Sequence, residues 1–558
     1  MPRLTKILQY SVTSLAFLLL AYSIASTQIY FVKATDTGLA SRMPMTFWFG
    51  LAVLGLVWFV CKKASRGLAV ALALTIGYLF VAPAVIRVPV WLSNSYYPFG
   101  ESALINSSGH LVDYTSTTLN SYHYWPSFLY FSSVFVQITG IPDSIIMKYF
   151  PLLIMALFGV LVFLILRVKL KASYAIFGAA WLVSSFWLRQ QYFGPPAFGY
   201  VFFLLNLLLL SKLFFTETTR KKELAALFFI SFIVVTLTHV LSAFMSIAAL
   251  VALYLSHRLA HRRASNVVAT LTLSSIAAFL SYNMFSAPGF FNLASLTFYR
   301  IFSFNLELGI FKEPSRVSGS AAQVLNYRST LAMMLVCGAI AVIPMLLLLK
   351  NRLSRKRLPI SGYDIFWIIF LLFLGLFAVG AEYGAHEAYQ RAFMFGLVPL
   401  SYFCVSLLSR KPKILIVALS ILFFLNIPAQ YGADSYTLAR APQLSGSKFV
   451  AIYTPQNITC FYDFSLEIRY YNPQKQIKFL ILASLPFTDV PNASTVNKVF
   501  NEADYMIVSD QEINFYYYFL KQSPLDQARV IAALSSLNRL YDASSFQLLR
   551  RANETSVP

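Results

Sequence analysis

Acidic and imidazole side chains are scarce in this 558-residue chain, with 22 Asp and Glu and 6 His against 44 Lys and Arg. The densest group is Pro98-Phe-Gly-Glu101-Ser-Ala-Leu-Ile-Asn106-Ser-Ser-Gly109-His110-Leu-Val-Asp113-Tyr114, followed by Tyr122-His123-Tyr124-Trp125-Pro126. Carboxylates and imidazoles in one connecting segment can take and return protons, the requirement for general acid/base chemistry. Elsewhere the candidates are Arg189, His239, Arg300, Arg328, Glu387 and Arg391. Guanidinium groups bind phosphate oxygens in a two-pronged way, and a His at a helix end can also hold a phosphate or serve only structure. Glu387 beside Arg391 also suits a simple ion pair.

The remaining sequence indicates what must hold these groups. Hydrophobic residues make up 58% and charged residues 12%, with a mean hydropathy of +0.65. A soluble chain of this size would need far more charge on its surface. Apolar runs recur near 7–32, 43–61, 67–91, 147–167, 172–188, 194–215, 223–239, 240–256, 265–284, 329–349, 362–380, 391–409 and 413–428. They read as about 13 transmembrane helices. The pair at 223–239 and 240–256 must turn around His239 with almost no loop. Ionisable groups at the ends of such helices are costly, which makes them functional candidates by default.

The net charge of +22 would suggest nucleic acid in a soluble protein, but here the basic residues cluster between apolar runs. Lys62/Lys63/Arg66, Arg167/Lys169/Lys171, Arg220/Lys221/Lys222, Arg258/Arg262/Arg263, Lys350/Arg352/Arg355/Lys356/Arg357 and Arg410/Lys411/Lys413 fall in alternate connections. The positive-inside rule places these connections and the N-terminus in the cytoplasm. The odd span number then sends the C-terminus outside. Asn-X-Ser/Thr sequons at Asn106, Asn457, Asn492 and Asn553 all fall on segments assigned outside. The chain is therefore expected to be a multi-pass cell-membrane protein with an uncleaved first span. Cys61, Cys337 and Cys404 lie in or beside spans and Cys460 stands apart, so no disulfide framework is implied.

Two outer segments are long, 92–146 and 285–328. In the first, Trp125–Gly140 is apolar but too short to span and reads as a helix lying in the interface. The second carries Phe290, Phe291, Phe298, Tyr299, Phe302, Phe304 and Phe311, either an interfacial belt or a wall for a lipid-linked substrate. Residues 1–429 form the expected transmembrane domain and 430–558 a small extracytoplasmic α/β domain. Strands are expected at Val450–Tyr453, Ile477–Leu482, Tyr505–Val508 and Phe546–Leu549, with helices at Thr495–Glu502, Ile513–Lys521 and Leu525–Leu537. No Gly-rich phosphate loop, nucleic-acid motif or convincing metal-ligand cluster is present; no cofactor is indicated, and a divalent metal is possible without being required.

Several of these pieces resemble the GT-C superfamily of membrane glycosyltransferases, in the prokaryotic type that uses polyprenyl- or dolichyl-phosphate sugars. In that family an outer loop after an early span carries a catalytic acid, followed by a Gly and a Tyr/Trp-Pro segment opening an interfacial helix. Glu101 sits where that acid is expected, and Asp113 is the alternative. Arg189-Gln190-Gln191-Tyr192-Phe193-Gly194-Pro195-Pro196 looks like the family's Gln-Tyr-Phe-x-Pro turn. Thr236-Leu237-Thr238-His239 looks like its Thr-His at a span end, and Glu382…Glu387…Arg391 like its outer Glu…Arg segment. The resemblance implies a lipid-linked sugar donor, a glycan, lipid or protein acceptor, and inverting transfer with an outer-loop carboxylate as base. His110, His123, Arg189, Gln191, Tyr192, His239, Arg300, Arg328, Glu387 and Arg391 are the implied substrate-binding residues. No Asp-x-Asp pair and no Trp-Trp-Asp-Tyr-Gly motif occurs, which argues against an oligosaccharyltransferase. A polymerase or ligase of polysaccharide repeats, a transporter or flippase, and a non-enzymatic scaffold are the competing readings. A transporter should show internal repeats, and none is evident.

Overall fold

The computed structural model describes residues 2–33, 36–62, 64–87, 93–110, 121–188, 191–261, 266–287, 319–353, 361–380, 388–437, 439–461, 466–472, 475–480, 503–520, 538–543 and 546–550. Every expected span corresponds to a helix. In chain order these are α1 (Pro2–Ser26), α2 (Met45–Cys61), α3 (Ser65–Ile86), then two short helices α4 (Tyr96–Ser108) and α5 (Ser127–Thr139). Next come α6 (Asp143–Arg167), α7 (Ala172–Ser185), α8 (Pro195–Phe215), α9 (Lys221–Thr236), α10 (Val240–His261), α11 (Asn266–Ser286), α12 (Ala321–Leu353), α13 (Gly362–Gly380), α14 (Ala388–Leu408) and α15 (Pro412–Tyr431). Among the described residues, 10 helices are long and apolar enough to cross a membrane. The others at expected span positions, α2, α7 and α9, have 17, 14 and 16 residues.

In hydrocarbon every backbone N–H and C=O must be satisfied within the protein, and the irregular points of these helices show how. Helix α7 rises only about 21 Å, short of a hydrocarbon core of roughly 30 Å. Its exposed terminal carbonyls are met from α15, where Asn426 Nδ2 donates to Ser184 O at 3.0 Å and Phe186 O at 3.2 Å. In α3, Pro83 has no N–H to offer the preceding turn. The helix widens into a π-turn over Gly77–Val81, and the Tyr431 hydroxyl donates to Leu79 O at 2.6 Å. Helix α15 ends just past Pro428, and Asn326 of α12 donates to two of its closing carbonyls, Pro428 O at 2.8 Å and Ala429 O at 2.6 Å.

The end of α3 is also pinned by charge. Arg87 donates to Asp434 at 2.9 Å with both side chains at most 1% exposed, and the guanidinium lies 4.9 Å from the Tyr431 ring centroid. Arg87 Nε donates to Pro83 O at 2.7 Å.

Beyond α15 lie α16 (Ala441–Tyr453), β1 (Asn457–Phe461), α17 (Leu466–Tyr471), β2 (Gln476–Leu480), β3 (Tyr505–Ser509), α18 (Asp510–Leu520), β4 (Asn538–Ala543) and β5 (Phe546–Arg550). The strands form one sheet in the order β2-β1-β3-β5-β4, parallel among the first three and antiparallel beyond. The expected strands around 477, 505 and 546 and the helix around 513 are present. Val450–Tyr453 is corrected from strand to helix. Its buried positions Gln443, Gly446, Ser447, Val450 and Ala451 follow helical spacing. Because three of the five are not apolar, the period was hidden. The expected helices at 495–502 and 525–537 fall outside the described residues, as do 288–318 and their aromatic residues.

Removing one partner of a buried ion pair leaves an uncompensated charge. Asp434→Asn should lower stability by about 3–5 kcal/mol, read from unfolding of the purified protein in detergent. The double replacement Arg87→Met with Asp434→Leu should recover most of that loss.

Candidate functional site

The polar segment between α3 and α5 folds in part into α4, which was not expected from the sequence. Pro98 is accommodated in its first turn, where no intrahelical N–H is needed. The helix ends at Gly109, which takes φ 75° and returns its N–H to Ile105 O at 2.8 Å, a left-handed cap that favours glycine. The apolar stretch Trp125–Gly140 carries a helix, as expected; this is α5, closed in the same way by Gly140 at φ 61°. A polar seam joins the two. Ser102 donates to Pro98 O at 2.6 Å and lies 2.7 Å from the Ser132 hydroxyl, while Ser133 and Gln137 donate to Asn106 Oδ1.

Glu101 points into the interior from α4, 3% exposed. A single 3₁₀ turn, Ser121–Tyr124, brings His123 to it, with Nε2 2.8 Å from Glu101 Oε2 and both side chains nearly buried. A carboxylate only accepts, so His123 donates through Nε2–H. The turn is anchored where Tyr282 of α11 donates to Tyr124 O at 2.6 Å.

This pair lies beside the sharp turn between α9 and α10, because Ser127 N, at the start of α5, donates to Leu237 O at 3.0 Å. His239 follows two residues later, 7% exposed, on a backbone bonded to Val235 O at 2.9 Å. Ser242 N donates to His239 Nδ1 at 3.3 Å, and the Ser242 hydroxyl is 2.9 Å from the same nitrogen. An N–H can only donate, so Nδ1 is the acceptor and the proton sits on Nε2. His239 is thus a fixed Nε2–H donor. Arg391, buried at the start of α14, is close enough to act on its charge.

Gln191, Tyr192 and Phe193 form the third wall. Phe193 stacks on Phe99 of α4 with centroids 4.4 Å apart, and meets Phe128 of α5 and Phe150 of α6, each at 4.9 Å. Trp187 faces Phe393 of α14 at 6.2 Å. Tyr192 is buried, and Gln191 is fully buried with neither carboxamide atom bonded among the described residues.

The structure therefore brings Glu101 to His123 and Arg391 to His239, and it sets Gln191 and Tyr192 next to Phe193, which meets α4 and α5. His110 is exposed at the far end of α4, its Nδ1 2.8 Å from Ser108 O. Arg328 is exposed on α12, and no hydrogen bond or ion pair joins it to these groups among the described residues. Asp113, Arg189, Arg300 and Glu387 lie outside the described residues. Sequence reading missed the Glu101–His123 contact and the role of Ser242; no short motif links residues 22 apart. No group of three His, Cys, Asp or Glu side chains is placed to hold a metal ion among the described residues.

His123→Ala should leave the buried acid without its donor and lower stability by about 1–3 kcal/mol, measured by unfolding in detergent. Glu101→Gln, which keeps an acceptor oxygen, should lower it by less than half as much.

No known family profile and no curated protein matches the sequence. Solved structures do match. The archaeal oligosaccharyltransferase AglB from Archaeoglobus fulgidus, in complex with an inhibitory peptide and a dolichol-phosphate, aligns with a TM-score of 0.51 at 12% identity, over 89% of this chain and 75% of its own. The Archaeoglobus fulgidus oligosaccharyltransferase complex with Zn and sulfate gives 0.52 at 13% identity, over 87% and 73%. ArnT from Cupriavidus metallidurans bound to undecaprenyl phosphate gives 0.48 at 12% identity, over 86% and 98%. At such identities the likeness concerns the path of the chain and not its substrates: in fold this multi-pass, mostly helical chain resembles GT-C membrane proteins, and it carries a C-terminal α/β region.

Proposed function

We propose that the protein is a membrane glycosyltransferase that moves a sugar from a polyprenyl-phosphate-linked donor to an acceptor hydroxyl at the extracytoplasmic face. The observation that carries this reading is the buried Glu101–His123 pair, held by two short helices in a GT-C fold. The donor of such a reaction cannot leave the bilayer, so its phosphate and sugar must be met at the interface. Glu101 takes the proton from the acceptor hydroxyl as that oxygen attacks the anomeric carbon. The bond from that carbon to the phosphate oxygen breaks, its electron pair leaves with the lipid phosphate, and the configuration inverts. His123 fixes the carboxylate through one oxygen and leaves the other for the acceptor. Arg391 and the Nε2–H of His239 stabilise the charge that develops on the departing phosphate. Gln191 supplies both a donor and an acceptor to the sugar. In this reading residues 430–558 form an extracytoplasmic domain, as the basic loops of the other face imply. The fold likeness to oligosaccharyltransferases is not extended to their acceptor, because the Trp-Trp-Asp-Tyr-Gly sequence is absent.

The test is transfer by membranes supplied with a radiolabelled polyprenyl-phosphate hexose. Glu101→Gln should reduce kcat by about 10²–10⁴-fold without loss of folded protein. Arg391→Lys, which keeps the charge but loses the planar fork, should raise KM for the donor more than it lowers kcat. The rival base is Asp113. Full activity in both Glu101→Gln and Asp113→Asn would overturn the assignment.

A further inference from the structure

Helix α17 of the C-terminal region packs against α4, the helix that carries Glu101. At that contact Glu467 is completely buried, 0% exposed, and neither carboxyl oxygen has a hydrogen-bond partner among the described residues. Its own backbone N–H leans toward the carboxyl and offsets part of the cost of charge, but stays outside hydrogen-bond geometry.

The groups around it do not neutralise it. Tyr96 from α4 and Tyr471 from α17 are close enough to sense its charge. Tyr470 meets the Tyr96 ring edge-on at 5.4 Å and donates to Asp143 of α6 at 3.1 Å. On α16, Lys448 and Tyr453 are exposed. Lys475 is committed to Ala451 O at 3.1 Å and Thr454 O at 2.9 Å. Among the described residues no cation pairs with Glu467. An unpaired carboxylate in such a place is far costlier than the neutral acid, and burial pushes this carboxyl up to about 8.

We infer that Glu467 is a positioning residue, whose protonated carboxyl lets α17 seat on α4 and so fixes the helix bearing Glu101, and whose ionisation unseats it. The consequence for catalysis rests on the reading of Glu101 as base; the seating itself does not. When α17 is unseated, Glu467 titrates at its ordinary value of 4.5, against about 8 when seated. Between those values the seated form holds one more proton, so seating weakens by about tenfold per pH unit as pH rises. The contribution is complete below the lower value and gone above the upper one. Tyr96, Tyr470 and Tyr471 are raised by burial and keep their protons across this window.

The test is hydrogen exchange of the α4 and α17 amides in the full-length protein in nanodiscs from pH 5 to pH 9, corrected for intrinsic rates. Protection of the wild type should fall about tenfold per unit until near pH 8, while Glu467→Gln, which cannot ionise, should stay flat. Asp143→Asn should keep the wild-type slope. Protection that does not vary with pH in the wild type, a wild-type slope in Glu467→Gln, or a slope abolished by Asp143→Asn would each overturn the proposal. Sugar transfer by the wild type should fall in the same window and that of Glu467→Gln should not. A normal exchange profile with no transfer at any pH would sink the glycosyltransferase reading and leave the seating role standing.

Discussion

A backbone carbonyl that loses its partner inside a bilayer has no water to turn to, and much of this fold is arranged around that constraint. Three places leave carbonyls without helical partners: the early end of α7, the proline of α3 and the close of α15. Each is met by a side chain from another helix, Asn426, Tyr431 and Asn326 respectively. These side chains cannot be exchanged for apolar ones of similar size without orphaning a carbonyl. They do more than mend defects. The end of α7 launches the segment holding Gln191 and Phe193, so Asn426 sets where that wall of the site begins.

The site follows a related logic. Its polar groups sit at helix ends and short turns, where the backbone is already irregular and a side chain can fix it. Ser242 sets the tautomer of His239, and the α9–α10 turn receives the first amide of α5, so the donor and the carboxylate pair share one frame. The aromatic contacts of Phe193 with Phe99, Phe128 and Phe150 tie its segment to α4, α5 and α6. Preorganisation of this kind makes a hydrogen-bond donor effective toward a developing charge, because little has to move when the charge appears.

The sequence disclosed the architecture well, because membrane spans are written as long apolar runs that little else can explain. Trp125–Gly140 was legible as a short helix for the same reason: it was apolar yet too short to cross. Helix α4 was not legible. Its stretch Tyr96–Ser108 is rich in Ser, Pro and Gly, and what holds it is a serine seam to α5 and an aromatic stack to Phe193, both tertiary. The strand β1 was missed although Asn457-Ile458-Thr459-Cys460 alternates, because so short a run is a weak signal; the sheet places it between β2 and β3. The residue types of the site could be read, but the contact of Glu101 with His123 passes through a helix and a turn that had to fold first. Glu467 gave no signal at all, since an acid in a mixed segment looks solvated until its surroundings are known.

One close approach bears on how this protein can vary. A Cβ at Gly199 would stand 2.6 Å from the Cβ of His239 and 3.1 Å from the Ser242 hydroxyl. Real side chains do not pack that closely, so the place of the imidazole is reserved by an atom that is missing from the opposite helix. Positions 199 and 239 are then tied through their backbones. A methyl group at the first would meet the Cβ that every residue but glycine carries at the second, so it demands a shift of α8 against the start of α10 whatever side chain stands at 239.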